Sequence, residues 1–248
     1  ALIIKTGFLE PLIYLLNFKE SEEIQCHAIS ALRNLAAASP KTRLLFFSLG
    51  CVSECCKIAN SSPESVQSEI SATFAILALD EVTKLKLLKE TNILEVLIPM
   101  TFISNPEVSG NAAATLANLC SRLNIKPTSE DPEYEVDNDF DYYAKVLFAW
   151  ESPQDGIVGF LRRFLTSEFI TFEHIALWTI LQLADSEDER FITLLKENID
   201  VINSVKKLLK QNYYITVNQN EKGTNRENDD ENKYDAALEL YGLSKQIL

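Results

Sequence analysis

Side chains able to do chemistry are few in this chain. It has two histidines, His27 and His174. Neither has a second His or Cys at metal-ligand spacing, and a general base needs a positioned partner. Packing, or contact with a partner protein, is the role expected of both. Cys51, Cys55 and Cys56 cluster, and Cys51 and Cys55 share a helix face at four-residue spacing. No second pair at zinc spacing follows, so these are expected to be buried as small hydrophobes. Asn60-Ser61-Ser62 matches the glycosylation pattern but reads better as a helix-capping loop. The sequence holds no Gly-rich phosphate loop, zinc-helix motif or nucleophile elbow. The expectation is a protein with no enzymatic activity, cofactor or metal.

What remains is the chemistry of recognition. Asn34, Ile76, Asn118 and Gln182 recur at spacings of 42, 42 and 64 residues. An amide donates and accepts, and so can pair with the backbone of an extended ligand. The same amide can instead fix neighbouring helix turns, and both roles stand open. Arg33, one residue before Asn34, can offer a bidentate contact to an acidic partner or remain solvated. Trp178 lies four residues before Gln182, on the same helical stripe. It suits either a groove anchor or core packing. The candidate partner-binding residues are therefore His27, Arg33, Asn34, Asn118, Trp178 and Gln182.

The elements that must position them follow from an internal repeat. Gly7-Phe8-Leu9-Glu10-Pro11-Leu12, Gly50-Cys51-Val52-Ser53-Glu54-Cys55 and Asn92-Ile93-Leu94-Glu95-Val96-Leu97 start 43 and 42 residues apart. Gly156-Ile157-Val158-Gly159-Phe160-Leu161 follows 64 further on, which is one period plus a 22-residue insertion. A weaker fifth copy begins at Asp200, another 44 along. The amide stripe gives the same period and the same insertion. Each unit parses as a short helix such as 41–49, a second helix entered at a Gly or Asn suited to positive φ, and a longer third helix. Ser62-Pro63-Glu64 and Asn105-Pro106-Glu107 read as third-helix starts, with Ser or Asn capping and Pro in the first turn. Three helices in about 42 residues is the armadillo pattern. The expected fold is an all-α, right-handed superhelical armadillo solenoid whose third helices line a concave groove.

Gly is only 7 and Pro only 8 of 248 residues, which excludes collagen and turn-rich β architectures. No run approaches the roughly 20 apolar residues that span a bilayer. Net charge is −13, unsuited to a phosphate backbone read by clustered Lys and Arg. Five cysteines, an odd count, argue for a reducing compartment. Residues 127–141 hold seven acidic and no basic residues, and 217–235 hold six acidic and three basic. Both are poor in aliphatic residues, which leaves little burial to offset the entropy of ordering. The expected organisation is repeats over 1–126 with the first truncated, an acidic insertion loop over 127–153, and armadillo-like repeats over 154–215. A disordered acidic loop over 216–232 and a C-terminal capping helix over 233–248 complete it. The opening Ala1-Leu2-Ile3-Ile4 falls inside an apolar pattern. It reads as a cut within a helical array with further repeats upstream.

Ile24 to Ala37, Glu95-Val96-Leu97-Ile98-Pro99, and Arg163 to Ser167 followed by Thr171 to Ile180 resemble the fungal vacuolar armadillo-repeat proteins. The resemblance is to the C-terminal part of that family. It implies a non-enzymatic adaptor on the cytosolic face of the vacuole membrane, or in the cytoplasm. The implied roles are vacuole inheritance and fusion, nucleus–vacuole contact and selective autophagy. The implied partners are vacuolar, autophagy and organelle-contact proteins held in the groove. Membrane attachment would come only through an N-terminal lipidated segment absent from this sequence, and self-association stands open. Arg33 matches the family's basic groove residue, while Ala75, Ala117 and Leu181 take that place in later units. An importin-type receptor for basic peptides is the alternative. It places Trp four residues before Asn in successive units, where this chain has Ser30, Ala72 and Ala114 before Trp178. A β-catenin-like scaffold, the third reading, prefers a strongly basic groove.

Overall fold

The computed structural model describes residues 7–123 and 140–220, together with Gly242 and Ile247. Thirteen helices and no strand occur among the described residues. They are α1 (Leu9–Leu16), α2 (Glu22–Ala38), α3 (Pro40–Ser48), α4 (Cys51–Ile58), α5 (Glu64–Leu77), α6 (Glu81–Glu90) and α7 (Ile93–Met100). Then come α8 (Pro106–Cys120), α9 (Tyr142–Phe148), α10 (Gly156–Leu165), α11 (Ile170–Asp185), α12 (Glu189–Glu197) and α13 (Ile199–Asn220). First helices are α3, α6, α9 and α12. Second helices are α1, α4, α7, α10 and α13. Third helices are α2, α5, α8 and α11.

The third helices form the spine, with α2 packed on α5, α5 on α8 and α8 on α11. Burial explains why a single unit could not stand alone. Leu32, Phe74, Leu116 and Ile180 hold matching places in the four third helices, and all are buried. Each covers a neighbour's apolar face, so stability is a sum over adjacent units. Polar contacts fix the register between spine helices. Asn105 donates to Glu64 at 3.4 Å, and Asn111 donates to the Ser71 hydroxyl at 3.3 Å.

The corners show where local sequence rules hold. Gly7, Gly50 and Gly156 precede or open second helices with φ of 64°, 73° and 59°, a region that Gly enters without steric cost. Asn92 at the equivalent corner instead has φ −93°, so the expectation of a left-handed residue there is corrected. The Thr91 turn before it reaches α7 without one. Asn105 caps α8 through bonds from Glu107 N–H at 2.9 Å and Val108 N–H at 3.3 Å. Ser62 does not cap α5. Its hydroxyl donates backwards to the Ile58 carbonyl at 2.9 Å, and Pro63 occupies the cap position.

The expected insertion loop over 127–153 contains α9. Its Tyr142 is buried and donates to the Leu119 carbonyl at 2.7 Å. Asp141 caps α9 through the Ala144 N–H at 2.9 Å. The fourth unit thus begins with a first helix of its own, and extra residues fall on both sides of it. The α9–α10 connection, 149–155, is longer than the two-residue turns 49–50 and 91–92. α13 reaches Asn220, so the first residues of the expected 216–232 loop are helical. The rest of that loop and residues 127–139 lie outside the described residues. So does the expected capping helix over 233–248, except for Gly242 and Ile247, the latter packing against the core.

Candidate functional site

The spine places the candidate residues on one layer. His27, Arg33 and Asn34 lie on α2, Asn118 on α8, and Trp178 and Gln182 on α11. Asn118 therefore sits on the helix packed directly against that of Trp178 and Gln182. The α2 trio is separated from them by α5, whose Ala72, Ala75 and Ile76 are half-buried.

Their surroundings differ. Trp178 is 42% exposed, a surface position rather than a core one. Asn118 and Gln182 are half-buried and Asn34 is exposed. The side chains of all three make no hydrogen bond among the described residues. Asn111, two turns before Asn118, is held by Ser71, and Asn198 and Asn212 bond their own helices. The stripe amides are thus not used to fix helix turns, and their donors and acceptors remain available.

Arg33 is engaged. Its guanidinium lies 3.1 Å from the Glu69 carboxylate on α5. The contact is a charge pair without hydrogen-bond alignment, since that Glu69 oxygen is buried and lacks a hydrogen bond. Arg33 by itself gives no sign of Glu69. The signal was present in the repeat, because Glu69 occupies in α5 the place of His27 in α2. His27 is exposed and lies 3.7 Å from Glu23 one turn before it.

Cys51, Cys55, Cys56 and Cys120 are buried. Burial pushes the Cys56 and Cys120 thiols up to about 12, far from the thiolate needed for reactivity. Among the described residues, no group of three His, Cys, Asp or Glu could hold a metal. No described helix is long and apolar enough to cross a membrane.

One buried carboxylate escaped the sequence reading. Glu173 is 8% exposed, and burial, then the nearby Glu168 charge, raise its pKa. In the first two units the same place holds Gln25 and Gln67, both buried. Gln25 donates to the carbonyl that ends α1, Leu16 O, at 2.6 Å.

Stacked three-helix units with an open third-helix layer define an armadillo-repeat protein. Residues 1–37 match the Armadillo/beta-catenin-like repeat family. A computationally designed armadillo repeat protein for modular peptide recognition superposes with TM-score 0.65 at 21% identity, over 96% of this chain and 84% of that one. A designed armadillo repeat protein in complex with the peptide (KR)4 gives TM-score 0.55 at 15% identity, over 94% of this chain and 99% of the other. The chain is a homologue of fungal vacuolar protein 8 and corresponds to its C-terminal part. It is 50% identical to that protein of Saccharomyces cerevisiae over 265 aligned residues, covering 100% of this chain and 43% of the relative. Against the Yarrowia lipolytica protein it is 39% identical, over 99% of this chain and 38% of the relative. The chain thus spans less than half the length of these relatives.

Proposed function

We propose that the third-helix layer binds an extended segment of a partner protein, and that the chain serves as part of a vacuolar scaffold. The partners implied are proteins of vacuole inheritance and fusion, organelle contact and selective autophagy, met at the cytosolic face of the vacuole. The observation that carries the reading is the stripe of Asn34, Asn118 and Gln182, whose side chains lack internal hydrogen bonds, beside the exposed indole of Trp178. A strand lying across α8 and α11 meets amides able to take its peptide groups and an aromatic face able to take a side chain. The designed relatives in fold, built for peptide recognition, lend support to this use of the layer. Arg33 takes part only with a ligand acidic enough to displace Glu69. A single Trp on the stripe, with small residues in its place on the three preceding third helices, weighs against the importin-type reading.

Calorimetric titration with peptides tiling vacuolar and autophagy proteins is the test. Trp178→Ala should weaken a bound peptide by about 2 kcal/mol, the scale of an interface anchor. Asn118→Ala should cost about 1 kcal/mol, the net value of a neutral hydrogen bond. Unchanged affinity in both variants moves the binding site off this layer.

A further inference from the structure

A concave surface lies away from the third-helix layer, where the third and fourth units meet. A cavity of about 400 Å³ opens between the α6–α7 corner and the α9–α10 corner, within the size range of ligand pockets. The longer 149–155 connection contributes Ala149, Ser152 and Pro153 to its wall. That connection is held firmly, because Ala149 O and Trp150 O accept from the N–H groups of Ile157 and Val158 at 3.0 Å each.

The lining combines four kinds of group. Leu94, Pro99 and Pro153 supply apolar surface. Phe148 joins them with 82% of its surface exposed, a large apolar cost for a residue with no visible internal duty. Lys145, one turn before it, lines the same cavity, is exposed and makes no ion pair among the described residues. The first turn of α7, Asn92 to Glu95, also lines it and has no side-chain cap, so no capping side chain offsets the positive end of that helix. Pro99 has no N–H to give the Glu95 carbonyl four residues before it, which leaves an acceptor as well.

We propose that this cavity docks a short segment of a partner protein bearing one aromatic or large aliphatic side chain next to a carboxylate. The apolar side chain enters between Phe148, Pro99 and Pro153. The carboxylate meets the Lys145 ammonium beside the positive N-terminal end of α7. The Glu95 carbonyl accepts a peptide N–H of the segment. The exposed Glu95 carboxylate at the rim selects a single acidic residue over an acidic run.

The test is selection from a displayed random dodecamer library against the whole chain, followed by fluorescence polarisation with a synthetic peptide of the enriched sequence. The expected result is a motif pairing a large apolar residue with Asp or Glu. Phe148→Ala and Lys145→Glu should each weaken that peptide by about tenfold or more, with an unchanged melting temperature because both side chains are exposed. Trp178→Ala should leave its binding unchanged. Enrichment of basic sequences, no enrichment at all, or binding that survives Phe148→Ala but fails in Trp178→Ala overturns the proposal. The Trp178 result is read separately from the groove titration, so either surface can fail alone.

Discussion

At the scale of single residues, the contrast between Arg33 and Glu173 is instructive. Both are charged groups on third helices, and neighbours on adjacent elements decide what each does. Arg33 spends its charge on Glu69, so Arg33→Glu places two carboxylates against each other across α2 and α5. The expected loss is about 1 kcal/mol, read in a urea melt. A merely solvated arginine would show no change. Glu173 is a buried carboxyl in a place that holds Gln in the first two units. Its folded-state pKa is above the unfolded one. Deprotonation therefore costs stability, fully above the folded pKa, and the cost is relieved as pH falls through it. Lys207 attracts the charge and Glu168 opposes it. Glu173→Gln should raise stability near pH 7 by about 1 kcal/mol, through a hydrogen bond like that of Gln25, and should gain less near pH 4. Equal gains at both pH values would show that the carboxyl is not the cause.

At the scale of elements, the α8–α9 and α9–α10 connections hold the fourth unit in the stack. Lys84 is 2% exposed on α6, and its ammonium donates to Ser121 Oγ at 2.9 Å, the Arg122 carbonyl at 3.2 Å and Glu81 at 3.0 Å. It ties down the chain leaving α8. Arg190 ties down the chain entering α9, with Asp141 at 2.8 Å and Asp188 at 2.6 Å. Its bonds hold both carboxyls below the usual range. Lys84→Met keeps the stem and removes three bonds, and should cost about 2–3 kcal/mol, read by thermal melting. Gly156→Ala should cost at least about 2 kcal/mol. An added Cβ would lie 2.4 Å from the Trp150 carbonyl at φ 59°, where backbone strain adds to the clash. Gly50→Ala should cost less, about 1 kcal/mol, since nothing lies within 4 Å of its Cβ position.

At the scale of the whole molecule, the acidic insertion is expected to be separable from the stack. Deleting 127–139 and rejoining the chain with a short linker should preserve cooperative unfolding, seen by circular dichroism. Extending the deletion through Asp141 should cost about 1 kcal/mol more, because it removes the α9 cap and the Arg190 contact. Equal melting of the two deletions would show that Asp141 carries no weight. Helices α5 and α8 are covered on both sides by spine neighbours. Their amides should exchange more slowly than those of α12 and α13, which lie at one end.

The sequence by itself determined the helical class, the 42-residue unit and the phase of the third helices. Those follow from periodicity and corner glycines, which are local properties of the chain. It also put Asn34, Asn118, Trp178 and Gln182 on one stripe, since a constant offset in a repeat is a constant place in the stack. It could not decide whether an amide on that stripe was free or bonded, because the answer depends on a helix about 40 residues away in the chain. Asn111 has Ser71 across the spine, and Asn118 has no such partner. It misread Ser62 because capping depends on the exact exit path of the preceding helix. It left α9 inside a loop because seven residues carry too short a pattern to show through an acidic stretch. The cavity beside Phe148 belongs to the tertiary structure alone. It lies between two units, and its wall includes residues of a seven-residue connection where the equivalent turns 49–50 and 91–92 have two.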